Sequence, residues 1–315
     1  MTMAGNASFD ALLSTTLANY RKQLTDNVFT ARPLTYFLMD KGRIRMLDGG
    51  TKIVEPLIYG TNSTVASYSG YDTLSLTAQE GISAAEYDWK QYAVSIAISG
   101  IEEAKNNGEQ AILNLLEAKV MQAEESMKEG FNQMFFADGT GNSGKDWNGL
   151  GNLVEASGTV GGINRATAGN EFWRSYEENT AGALTLAQMT TAYNSVSVGN
   201  DHPDMVLTTQ TLFEKYESLL TPQLRYTDTK TADAGFQNLL FKAAPVAYDV
   251  HCTAGVVYFL NSKYLTLVGH SGKWFAQTDF VRPENMDARY SLIMAYGNLT
   301  CRNAAKQGKL TAKTA

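Results

Sequence analysis

Two cysteines, three histidines and no long basic run are all that 315 residues supply toward the commonest catalytic and metal chemistries. Cys252 and Cys301 lie far apart and fit no metal-binding spacing. Two ordinary thiols in a reducing cytoplasm are the expectation, with a disulfide as the alternative. None of His202, His251 and His270 stands in an H-E-x-x-H pattern, and no Cys/His group has zinc spacing. No G-x-S-x-G elbow is present, although a Ser/His/Asp triad is assembled in space and stays open on sequence grounds. Charged residues make up only 18% of the chain and the formal net charge is −6. Phosphate neutralisation dominates nucleic-acid affinity, so strong direct binding of DNA or RNA is disfavoured. The opening MTMAGNASFDALLSTTLANYRKQL lacks the basic-then-apolar layout of a signal peptide. No run approaches the roughly 18 apolar residues that suggest a membrane span.

What is present reads as a globular α+β chain. Apolar residues reach 44%, and 315 residues can bury a sizeable core in one large or two ordinary domains. With so little charge, much of the polar surface is Ser, Thr, Asn and Gln, which suits contact with other protein.

Residues 9–40 open with a helical stretch, but Pro33 argues against one continuous helix. The segment reads as an arm with anchors at Val28, Phe29, Leu34, Phe37 and Leu38, or as an ordinary helix packed on its own domain. Lys52 to Tyr59 reads as a strand. Tyr92, Val94, Ile96 and Ile98 alternate with small residues, the period of a strand with one apolar face. Between them lies GTNSTVASYSGYDTLSLTAQEGISAA, too long and polar for an ordinary turn and too poor in large apolar groups for its own core. It is a mobile loop or an arm that orders on a neighbouring subunit, and Tyr68, Tyr71, Leu74 and Leu76 favour the arm.

A long helix follows. Ile112, Leu116, Val120, Ala123, Met127, Phe131 and Met134 recur at steps of three or four over about 30 residues, roughly 45 Å. Met121, Met127 and Met134 read as core packing. Later segments predict a helix in LTLAQMTTAYNSV, then strand, turn and helix in HPDMVLTTQTLFEKYESLL. Further strands are predicted at APVAYDV, GVVYFLNSKYLTLVGH and ARYSLIMAYGNLTCRNAAKQGKL, and TPQLRYTDTKTADAGFQ reads as an exposed loop.

The run DGTGNSGKDWNGLG imitates two nucleotide-binding patterns. Gly139, Gly141 and Gly144 fit G-x-G-x-x-G; Gly139, Gly144 and Lys145 fit all but the last position of a phosphate loop. A working cradle needs a strand before it and a helix after it. Here a helix precedes the run, and Asp146 stands where Ser or Thr should hold magnesium. Ending a long helix and making a turn is the simpler role. The sequons at Asn6, Asn62 and Asn298 are at chance frequency.

Several stretches, in this order, resemble the major capsid proteins of tailed bacteriophages, with the Hong Kong 97-type fold. They are GTKIVEPLIYG, YSGYDTL, VSIAISGIEEAKNNGEQ, FFADGTG, GLGNLV, GGINRATAGNEFWR and YGNLTCRNAAKQG, from about residue 49 to 308. The resemblance implies an N-terminal arm at 1–48 and an extended β-hairpin loop at 49–98. It implies a peripheral domain at 99–164 with a spine helix at 108–137 and a glycine-rich hinge. An axial domain would occupy 165–280, with its loop near 225–236 at the five- or six-fold centre, and 281–315 would be the return strand and C-terminus. It implies a structural protein, not an enzyme, without cofactor or metal. Pentamers and hexamers would form an icosahedral shell around double-stranded DNA, assembled in the host cytoplasm, off the membrane. Scaffolding, portal and cement proteins would be partners, with scaffolding a separate protein or a removed precursor segment. An encapsulin-like compartment is the alternative within the fold. A hydrolase or nucleotide-dependent enzyme is the alternative outside it.

Some proteins of this kind crosslink through a lysine in the extended loop. Between Pro56 and Trp89 there is no lysine or arginine, so no such crosslink is expected. The same loop carries Asp72, Glu80, Glu86 and Asp88. We expect it to dock on a basic strip of a neighbour formed by Arg43, Arg45, Arg282 and Arg289.

Overall fold

The computed structural model describes residues 32–105, 109–220 and 238–315, and their side chains outside 103–117 and 238. The striped segment is a helix, Glu109–Phe136, roughly 42 Å long at about 1.5 Å per residue. Val120, Ala123, Met127, Phe131 and Met134 are buried along it; Ile112 and Leu116 lie outside the described side chains. Met121 corrects the expectation for the methionines. It is 55% exposed, because it stands about 100° round the helix from Val120 and so off the stripe. Phe131 sits among Tyr92, Trp147 and Phe275, with ring centroids 4.9, 5.1 and 5.5 Å away.

Against this helix lies the first sheet. The alternating segment forms Lys90–Ser99, antiparallel to the long strand Ala288–Cys301 in ten-residue register from Lys90↔Gly297 to Ser99↔Ala288. Leu265–His270 and Ala276–Gln277 also pair with the long strand, and Ile44–Leu47 adds in parallel to Leu265–His270. The short helix Pro33–Asp40 begins with proline where a missing N–H does no harm. Its Leu34, Phe37 and Leu38 are buried in the chain's own core. Residues 33–47 are therefore packed at home, the second of the two readings above. Val28 and Phe29 lie outside the described residues.

A second sheet runs in the order 238–241, 244–248, 205–208, 257–260, 308–310, 176–178. Met205–Thr208 and Val257–Leu260 are buried at every position, as near-continuous apolar runs require. Two helices, Leu186–Ser195 and Gln210–Leu219, give Met189, Tyr193, Phe213 and Tyr216 to a core shared with Phe241 and Phe259. Thr185 and Gln188 form a reciprocal capping box at the start of the first of these helices. After the long strand the chain crosses to this sheet, where Gly308–Leu310 pairs with Val257–Phe259 and Tyr176–Glu178. The buried Lys309 ammonium lies 3.4 Å from both Glu155 and Glu177. The expected loop near 225–236 lies outside the described residues.

The glycine run, where the resemblance implies a hinge, forms a corner at the end of the long helix. Several of its amides are occupied: Thr140 N donates to Asp138 Oδ1, Gly144 N to Thr140 O and Asp146 N to Gly141 O. Residues 140–145 are exposed, but Trp147 is fully buried and Asn148 N donates to Asn298 Oδ1. Gly149 lies on the last carbonyls of the long helix. A Cβ there would stand 2.3 Å from Ala137 O and 2.4 Å from Met134 O. Gly149→Ala is therefore expected to destabilise the chain by ~3 kcal/mol, since these atoms are backbone and cannot rotate away. Gly144→Ala meets no neighbour within 4 Å and bears only its positive φ, a strain of ~1–2 kcal/mol. Chemical denaturation of the two variants side by side checks the ordering.

Candidate subunit interface

A two-stranded ribbon projects from the first sheet. Ile53–Ile58 pairs antiparallel with Ile82–Tyr87, from Ile53↔Tyr87 to Ile58↔Ile82. The partner strand lies inside what the sequence reads as a connecting segment, because Ile-Ser-Ala-Ala-Glu-Tyr offers no alternation of large apolar groups. The strand at 90–99 leaves the ribbon and belongs to the sheet. Directly opposed residues share a face. One face turns Ile53, Glu55, Leu57, Ala85 and Tyr87 inward, all buried. The other presents Val54, Pro56 and Ile58 beside Ile82 and Ala84, with Ile58 84% and Ile82 79% exposed.

Pairing ends where Gly60 and Gly81 meet: a Cβ on Gly60 would stand 3.1 Å from Gly81 Cα. Tyr59 stacks on Phe172 at 4.7 Å, which holds the ribbon to the body just before this point. Residues 61–80 form the tip. Ser69 N donates to Asp72 Oδ2, and the backbone N–H and hydroxyl of Ser63 both donate to Gln79 Oε1. Val65, Tyr68, Tyr71, Leu74 and Leu76 are exposed. Large apolar groups gathered on one projection, with none of the described residues covering them, mark a contact surface.

The expected charges are placed as follows. Glu86 is already paired with Lys52 at 2.8 Å, and Glu80 and Asp88 are exposed. The Asp88 carbonyl accepts from Asn298 Nδ2. Arg45 Nη2 lies 3.1 Å from Glu55 of the same chain, and Arg282 is paired with Asp287. Arg43 and Arg289 are part-buried, on the edge of the first sheet and on the long strand.

Sequence reasoning missed the residues that fix the root of the ribbon. Tyr87 Oη donates to the Cys301 carbonyl at 2.8 Å and accepts from the Cys301 amide at 3.2 Å. Glu86 N donates to Gly161 O, and Trp89 Nε1 to Gly50 O. Arg165, fully buried, organises the hairpin around Gly161. Its Nε donates to Trp173 O, Nη1 to Asn152 and Ser157 carbonyls, and Nη2 to Leu153 O, at 2.8–3.1 Å. Burial lowers its pKa, the largest influence on it. Trp173 Nε1 donates in turn to Val160 O. Cys252 and Cys301 are free and buried, and burial pushes both thiols up, Cys301 to about 12. Among the described residues no cluster of three or more His, Cys, Asp or Glu could hold a metal ion. No helix among them is long and apolar enough to cross a membrane.

No protein-family model and no curated protein matches the chain. Solved structures do. The capsid asymmetric unit of cyanophage A-1(L) aligns over 87% of this chain and 91% of its own, at TM-score 0.63 and 16% identity. The encapsulin SrpI of Synechococcus elongatus aligns over 86% and 85%, at TM-score 0.56 and 12% identity. A virus-like particle from Pyrococcus furiosus aligns over 93% and 98%, at TM-score 0.53 and 11% identity. The class is thus a mixed α+β fold shared by viral capsids and encapsulins. The chain has the Hong Kong 97-type fold of tailed-phage major capsid proteins.

Proposed function

We propose that this chain is the major capsid protein of a tailed bacteriophage, a structural protein that assembles as pentamers and hexamers into an icosahedral shell around double-stranded DNA. The observation that carries the reading is the ribbon: a fixed root bearing an exposed apolar face and tip that the described residues of one copy leave uncovered. Near-full-length likeness to a cyanophage capsid chain supports the same reading. An acidic chain suits a container, because a lining that bound DNA tightly would hinder packaging and release. Scaffolding, portal and cement proteins would be its further partners.

The tip would lie across a neighbouring subunit, with Tyr68, Tyr71, Leu74 and Leu76 in contact. Asp72, Glu80, Glu86 and Asp88 would face basic groups there, among Arg43, Arg45, Arg282 and Arg289. Single exposed pairs are weak, yet repeated over a shell they set register. Reversing Glu80 and Asp88 to lysine is expected to lower the yield of closed shells at least ~10-fold at low salt, read by sedimentation. Normal yield would contradict the electrostatic part of this docking.

Size-exclusion chromatography with negative-stain microscopy tests the reading as a whole. Shells, tubes or rings of five or six support it. A monomer or dimer at high concentration, with candidate scaffold added, contradicts it. An encapsulin would show itself by uniform shells that load a peptide-tagged cargo protein.

A further inference from the structure

We infer that Glu55 is a positioning residue, a buried latch that fixes the angle at which the ribbon leaves the body and thereby governs which shells can close. The inference rests on the shell-protein reading for its consequence, though the latch itself stands on geometry within one chain. Glu55 lies on the inward face of the ribbon between Ile53 and Leu57, with its side chain fully inaccessible to solvent. Two cations reach it from separate elements. Arg45 Nη2, from the edge strand Ile44–Leu47, is 3.1 Å from Oε1; Arg302 Nε, just past the long strand, is 3.1 Å from Oε2. Thr300 Oγ1 lies 3.4 Å from Oε1 and also donates to Thr266 O.

An apolar residue at 55 would satisfy the alternation of this strand and fill the site more simply. Burying a carboxylate is costly, and replacing a buried ion triad by apolar groups is often neutral or stabilising. Stability alone therefore gives no reason for a charge here. Direction does. A carboxylate held 3.1 Å from cations on two elements, with the Thr300 hydroxyl on Oε1, has fixed attractions on two sides and so resists rotation of the ribbon about its root, whereas apolar contact is non-directional.

The leverage is appreciable. A swing of about 10° about the root would move a point roughly 20 Å out along the projection, about six residues of strand at ~3.3 Å each, by about 3.5 Å, one residue of strand register. Below Gly60 the ribbon is tied through Glu55, Glu86, Tyr87 and Tyr59 to Arg302, Gly161, Cys301 and Phe172 of the body. The contacts of Asp72 and Gln79 stay within the tip itself. The angle is set at the root.

Two variants of the full chain separate positioning from stabilisation. In the first, Arg45→Met, Glu55→Leu and Arg302→Met are combined, which removes all three charges together. We expect its thermal midpoint to stay within about 5 °C of the parent, while closed shells of parental diameter fall at least ~10-fold and give way to irregular particles. Parental shells in parental yield would overturn the inference. In the second, Glu55→Gln, hydrogen exchange is followed in the unassembled protein. Amides of 53–58 and 82–87 should exchange roughly tenfold faster, with the second sheet unchanged. Unchanged exchange in the ribbon would overturn the latch. This second readout decides the question even if the triple variant does not fold, or if no version of the chain assembles, in which case the shell-protein reading fails separately.

Discussion

Replacing residues 61–80 by an Asn-Gly turn between Gly60 and Gly81 is expected to leave a folded, soluble chain that makes no closed shells. The two glycines already face each other at the end of the paired region, so a two-residue turn can join the strands there. The removed segment gives no side chain to either buried core, so the thermal midpoint should move little. Assembly should not survive. Val65, Tyr68, Tyr71, Leu74 and Leu76 leave with the tip, and full burial of such a side chain is worth ~1.5–3 kcal/mol. Even partial burial of the five amounts to several kcal/mol at each contact, and ~1.4 kcal/mol is a factor of ten in affinity. Light scattering of assembly reactions would measure the loss. A tip-deleted chain that closes shells normally would remove the ribbon from the assembly mechanism.

The second large effect is expected at Arg165. Arg165→Met keeps much of the volume and removes every donor, which leaves the carbonyls of Asn152, Leu153, Ser157 and Trp173 short of partners in a buried site. An unsatisfied buried acceptor costs ~1–3 kcal/mol, and some of the four will find water or relax. A net loss of ~3–5 kcal/mol follows, a fall of roughly 6–20 °C in thermal midpoint at ~2–4 °C per kcal/mol. Arg165→Lys should recover only part of this, because one ammonium cannot reach four carbonyls spread across a planar fork. Calorimetry of the three proteins gives the order arginine, lysine, methionine. A methionine variant as stable as the parent would show that the hairpin around Gly161 stands without the guanidinium.

What could be read in the sequence follows from how local each signal is. The stripe from Val120 to Met134 and the alternation from Tyr92 to Ile98 are periodic, and both elements stand where the period puts them. Met121 deceived because residue type suggested core while its place on the helix did not. The strand at 82–87 carries mostly small residues, and what makes it a strand is its partner at 53–58, some thirty residues away. Leu34, Phe37 and Leu38 could anchor equally well to a neighbour or to the chain's own core, and only tertiary packing decides between those. Gly149 and Gly151 were visible as glycines, but their closeness to the carbonyls at the helix end depends on how the corner folds back.

The joints at the ribbon root are the clearest case of partial legibility. GGINRATAGNEFWR and YGNLTCRNAAKQG carried the family resemblance without revealing what their residues do. They supply Gly161, Arg165, Phe172, Trp173, Asn298, Cys301 and Arg302, and nearly all the contacts that hold the ribbon in place. Glu55 read as one polar residue in a strand. Its two arginines are ten residues before it and about 250 after it, and no spacing rule reaches that far.

Electron cryomicroscopy of particles formed by the full chain tests the central claim most directly. The account predicts closed shells built of five- and six-fold rings, in which residues 61–80 lie across an adjacent subunit and Ile58 and Ile82 are covered. Shells whose ribbon tips stand free in solvent, or a chain that forms no ordered particle with or without scaffold, would contradict it.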